Sequence, residues 1–103
     1  MIRVNVVYPN KSGATFDMEY YLSKHMPMVR EKMGAALKAM TVDQGLNGGQ
    51  PGTEAAYQVI ASLLFDSAEA FQNAFIPHTA EIMADIPRYT NIAPTVQISE
   101  VKL

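Results

Sequence analysis

Apolar and polar residues alternate over residues 2–8, with Ile2, Val4, Val6 and Tyr8 on one parity and Arg3, Asn5 and Val7 on the other. This strand pattern stops at the turn formers Pro9-Asn10-Lys11-Ser12-Gly13. Asp17 then offers a cap for a helix that carries Met18, Tyr21, Met28, Val29 and Met33 inward. Pro27 removes an amide and disfavours helical geometry at Met26, so the helix is expected to kink or break near His25-Met26-Pro27. Gly34 provides a stop, after which residues 37–44 alternate as a second strand. Residues 46–54 concentrate glycine and proline and form an exposed loop.

Over residues 57–65 both parities are largely apolar, Tyr57, Val59, Ala61, Leu63 and Phe65 against Ile60, Ser62 and Leu64, so the third strand is expected to be buried on two sides. Asp66-Ser67-Ala68-Glu69 has capping-box spacing, and Ala70, Phe71, Ala74 and Phe75 make one apolar helix face, which Pro77 interrupts. A helical run over 79–85 ends before Pro87, and residues 95–103 close the chain as a fourth strand. The order βαββαβ predicts a ferredoxin-like α+β fold, a four-stranded antiparallel sheet with helices over one face. An apolar third strand would leave a hydrophobic patch on the uncovered face, and a second copy is the simplest cover. Two sheets facing across a two-fold axis form a dimeric α+β barrel, with a concave apolar site for a small-molecule ligand.

A chain of 103 residues without a linker fits one domain, residues 1–103. Its basic residues are scattered and the formal charge is −2, which argues against nucleic acid as a partner. No stretch reaches the roughly 20 apolar residues of a membrane span, and no signal-peptide pattern opens the chain. The absence of cysteine removes disulfides, thiolate metal sites and a thiol nucleophile, and fits a cytoplasmic setting.

Phe16-Asp17-Met18-Glu19-Tyr20-Tyr21, Lys24-His25-Met26-Pro27-Met28-Val29 and Ala84-Asp85-Ile86-Pro87-Arg88-Tyr89-Thr90-Asn91 together resemble an EthD-domain protein over nearly the whole chain. That family is named for ethyl tert-butyl ether degradation, and it resembles the wider group of dimeric α+β barrels. The group includes muconolactone isomerases, cofactor-free quinone-forming monooxygenases, polyketide cyclases, haem-degrading enzymes and stress-response barrels. The resemblance therefore implies a site and not a particular reaction. Short relatives carry the label of a reductase, yet no Gly-rich dinucleotide fingerprint follows the first strand, so no cofactor is assigned.

His25 is the candidate catalytic residue, since an imidazole at a helix break, four residues after Tyr21, can project into a pocket and move protons near neutral pH. The competing view is an ordinary histidine bonded to a backbone carbonyl. Tyr20 and Tyr21 point about 100° apart, so one of them shares the pocket with His25, and Tyr21 has the better spacing. Its phenol could orient a substrate oxygen or donate a proton; the alternative is a packed tyrosine with a wet hydroxyl. Tyr89 reads as structural. His78 with His25 offers too few ligands for a protein-held metal, and the seven methionines fit either an adaptable lining or plain core. Nucleophile-elbow and phosphate-loop motifs are missing, and the third strand lacks the stacking aromatics of an RNA-binding sheet.

Two functions fit these residues. One is an enzyme acting on an apolar or aromatic oxygenated metabolite, by isomerisation, cyclisation, dehydration or an oxidoreductase-type step, with His25 as general acid or base. The other is a non-catalytic homodimer that sequesters a small molecule or delivers it to an oxidase.

Overall fold

The alternation of residues 2–8 becomes strand β1 (Ile2–Pro9), which lies second from one edge of a four-stranded antiparallel sheet. The computed structural model describes all 103 residues. Helix α1 (Met18–Tyr20) leads through a widened π turn (Tyr21–His25) into α2 (Met26–Met33) and a short 3-10 turn (Gly34–Ala36). Strands β2 (Ala39–Gln44) and β3 (Tyr57–Phe65) follow, then α3 (Ala68–Phe75), α4 (Thr79–Asp85) and β4 (Thr95–Glu100), with 3-10 turns after each of the last two helices. The strand order β2-β3-β1-β4 is the ferredoxin-like arrangement expected from the βαββαβ succession.

The register explains which residues face the helices. Val4 pairs with Leu63, Val6 with Ala61 and Tyr8 with Val59, and every one of these except Val6 is fully buried. Tyr21, Met26, Val29 and Met33 from the first helical segment, Phe71 from α3 and Ile82 from α4 close over them. The opposite face carries Arg3, Asn5 and Val7 on β1 and Ile60, Ser62 and Leu64 on β3. There Asn5 donates to the hydroxyl of its register partner Ser62 at 2.9 Å. Within one chain β3 is thus buried on one side and half-buried on the other, because no second layer covers its Ile60-Leu64 side.

Local chemistry sets the element ends. Asp17 caps α1 by accepting the Tyr20 amide at 3.0 Å. The helix bends at Pro27 as expected, but by widening and not by breaking: the Met26 amide bonds the Tyr21 carbonyl five residues back. A regular ladder would need an amide at residue 27, which proline lacks. The cap of α3 is Ser67, accepting from the Ala70 amide, while Asp66 pairs with Lys38 at 3.7 Å, so the expected Asp66-Glu69 box does not form. Strand β4 ends at Glu100, the partner of Ile2, short of the expected residue 103, with one further bond from the Val101 amide to the Met1 carbonyl at 3.0 Å.

Candidate functional site: a buried tyrosine–histidine–aspartate string

Two segments far apart in the chain are laced together beside the first helix. Phe16 bridges Thr90, the Asp17 amide donates to the Tyr89 carbonyl at 2.7 Å, and the Thr90 hydroxyl donates to the Thr15 carbonyl at 2.6 Å. Asn91 completes the lacing, accepting the Thr15 amide and donating to the Gly13 carbonyl. This places the end of α4 and the following 3-10 turn (Ile86–Arg88) against the π turn, with Asp85 and Tyr89 on either side of His25.

His25 is 4 % exposed. Its Nδ1 lies 2.9 Å from Asp85 Oδ2, and its Nε2 lies 3.4 Å from the Tyr89 hydroxyl. The Tyr89 hydroxyl is 2.8 Å from that of Tyr8, and the Tyr20 hydroxyl donates to Asp85 Oδ1 at 2.8 Å. Tyr21 stacks on the imidazole with centroids 5.4 Å apart and planes 15° from parallel. The π turn produces that stacking, since its wider pitch brings residues four apart nearly into line.

Charge follows from this packing. Burial pushes the His25 ring below its ordinary value of 6.5, against the opposing hydrogen bond and charge of Asp85, so the imidazole is neutral at neutral pH. Burial acts to raise the Asp85 carboxyl, but hydrogen bonds from His25 and Tyr20 and the charge of Arg88, whose Nε is 3.6 Å away, hold it below its ordinary value. Asp85 is thus a carboxylate. Burial also raises Tyr8, Tyr21 and Tyr89, which remain neutral phenols. A carboxylate only accepts, so Nδ1 carries the proton and the Nε2 lone pair faces Tyr89. The Tyr89 hydroxyl then donates to Nε2 and accepts from Tyr8, leaving every member of the string bonded. No buried side-chain nitrogen or oxygen lacks a partner.

Of the residues singled out from sequence, His25 and Tyr21 come together directly. Tyr20, expected to point elsewhere, reaches His25 through Asp85. The partner of His25 is a carboxylate and not a backbone carbonyl. Asp85 and Tyr89, to which the sequence assigned no chemistry, supply both of its hydrogen bonds. The available signal was that both lie in the Asp85-Ile86-Pro87-Arg88-Tyr89 stretch that carries the family resemblance. His78 lies in a separate 3-10 turn (Ile76–His78), and no three His, Cys, Asp or Glu side chains are grouped to hold a metal.

His25 does not project into an open pocket. Neighbouring residues on a helical turn point about 100° apart, so Met26 faces a groove while His25 faces the interior. That groove, about 530 Å³, lies between α2 and the edge strand β2 and is floored by Leu22, Met26, Pro27, Met40 and Val42. A second, more polar groove of about 400 Å³ is lined in part by Arg88, Tyr89 and Asn91, on the lacing between the two segments.

Comparison with known proteins agrees with this architecture. An EthD-like protein from Ralstonia eutropha JMP134 is 47 % identical, with a TM-score of 0.94 over 99 % of this chain and 92 % of that one. An ethyl tert-butyl ether degradation family protein from Bacillus halodurans C-125 shares the fold at 20 % identity, with a TM-score of 0.68 and 99 % of both chains covered. A dimeric protein of unknown function and ferredoxin-like fold from Bacteroides fragilis NCTC 9343 does so at 13 % identity, with a TM-score of 0.54 over 97 % of this chain and 95 % of that one. No curated protein matches the chain. The EthD domain model matches residues 11–93, which span both laced segments and every member of the string except Tyr8, and the chain belongs to the EthD family.

Proposed function

We propose that this chain is a homodimeric α+β barrel that binds an apolar or aromatic oxygenated metabolite and performs acid–base chemistry on it through His25. The observation that carries this reading is the enclosed imidazole with Asp85 2.9 Å from Nδ1 and the Tyr89 hydroxyl 3.4 Å from Nε2, a setting in which burial favours the neutral ring. Neutral imidazole is the form a base needs, and the Tyr89 hydroxyl that donates to Nε2 can hand its proton to the ring as its oxygen takes one from the ligand. Tyr21, stacked on the ring, holds its plane. The groove beside Met26 matches an apolar ligand, and Tyr89 links the string to the polar groove. A homodimer is supported by the uncovered sheet face and by Val96 and Ile98 of β4, which are 55 % and 44 % exposed on the helix side of the sheet edge. The ferredoxin-like relative from Bacteroides fragilis is itself described as dimeric.

One observation favours a binding protein without turnover: His25 lines neither groove, so a ligand seated in either does not touch the ring. Native mass spectrometry of the purified protein, followed by denaturation and identification of any released molecule, separates the readings. The proposed function expects a dimer carrying a defined compound that the wild-type protein converts. His25→Ala should keep the dimer and lower that conversion about 10²–10⁴-fold, the usual contribution of a general acid or base. A compound recovered unchanged after long incubation, or converted equally by His25→Ala, contradicts it.

A further inference from the structure

We propose that Asp85, backed by Tyr20, is the positioning residue of this site, fixing the His25 ring in one tautomer so that Nε2 is the proton-accepting atom. The inference rests on the acid–base reading above and adds the group that directs it. Without a carboxylate, the surroundings of His25 do not select a tautomer. The stacked Tyr21 ring is indifferent to it, and the Tyr89 hydroxyl can either donate or accept. Asp85 removes that freedom because it can only accept.

Both carboxylate oxygens are engaged, Oδ2 by His25 at 2.9 Å and Oδ1 by Tyr20 at 2.8 Å and Arg88 at 3.6 Å, so the group cannot rotate away without breaking bonds on both sides. Its place at the last residue of α4, immediately before the 3-10 turn containing Pro87, holds it on regular structure. The consequence passes along the string. Nδ1–H points at Asp85, the Nε2 lone pair faces Tyr89, and the Tyr8 and Tyr89 hydroxyls align in one direction toward it. When Nε2 takes a proton, the imidazolium lies against a carboxylate at the rim of the core, 16 % exposed, which favours the charged ring while water screens part of the pairing.

The test is ¹⁵N NMR of protein labelled at histidine, with His25→Gln used to separate the His25 signals from those of His78. At pH 7.5 the wild-type ring should show a protonated Nδ1 and a bare Nε2. Asp85→Asn, almost the same size, presents an amide that can donate to Nδ1, and should move the proton to Nε2. Asp85→Glu should restore the original pattern. Conversion of the compound released from the protein should fall about 10²–10⁴-fold in Asp85→Asn and recover partly in Asp85→Glu. A wild-type ring protonated at Nε2 overturns the proposal without any variant, as does an Asp85→Asn protein that keeps the original tautomer and conversion. If the tautomer moves while His25→Ala still converts the compound, the positioning role stands and the acid–base reading falls.

Discussion

A histidine enclosed to 4 % exposure, with a carboxylate on one nitrogen and a phenol on the other, makes the folded chain sensitive to acid. Burial lowers its proton affinity, so below about pH 6.5 the unfolded chain binds a proton there that the folded chain takes up only at lower pH. Stability from this group is therefore present above that value and lost as pH falls from it toward the folded one. Asp85 is also held below its ordinary value of 3.8, so its contribution is lost in a separate, more acidic window. Thermal melts should show a melting temperature that declines from about pH 6.5 downward, whereas His25→Gln should hold its own plateau until the carboxylate range. Identical pH profiles for the two proteins would count against a buried neutral ring. His25 and Tyr21 were legible in the sequence because their spacing and the adjacent Pro27 are local signals. Asp85 and Tyr89 were not, because their contacts with His25 cross 60 and 64 residues of chain and no local pattern announces them.

At the scale of elements, alternation located β1 and β2 and a run apolar on both parities located β3, whereas β4, largely exposed, was expected three residues longer than its Thr95–Glu100 span. The helix ends were harder to read. Proline at position 27 signalled an interruption, but a missing amide can break a helix, kink it or widen it by one residue, and the choice depends on packing. Here the wider turn is what sets Tyr21 over His25. The cap of α3 is Ser67, one residue later than expected, and Asp66 lies outside the helix near Lys38. Gly34 closes α2 with φ 61° and ψ −144°, a conformation that residues with a Cβ rarely adopt. Nothing lies within 4 Å of where that Cβ would be, so the penalty is purely one of the backbone. Gly34→Ala should cost about 1–3 kcal/mol in a denaturant unfolding curve. An unchanged midpoint would show that the turn relaxes freely.

For the whole molecule, the βαββαβ order led from sequence to a four-stranded sheet with helices on one face, and the structure bears out that arrangement. The sequence suggested a ligand site enclosed between two sheets. The structure places the histidine instead in the layer between helices and sheet, inside a single chain, with the sheet's other face uncovered by the chain itself. Parity puts Ile60 and Leu64 opposite Val59 and Leu63, but because both sets are apolar the sequence could not tell which of them faces the helices. No helix is long and apolar enough to cross a membrane. The account centres on a fold that closes around a neutral imidazole and keeps it in reserve as a base. An NMR titration of the His25 ring protons tests that most directly. The account predicts a midpoint clearly below 6.5 with the ring uncharged at pH 7; a midpoint above that value, with a charged ring paired to Asp85 at neutral pH, would contradict it.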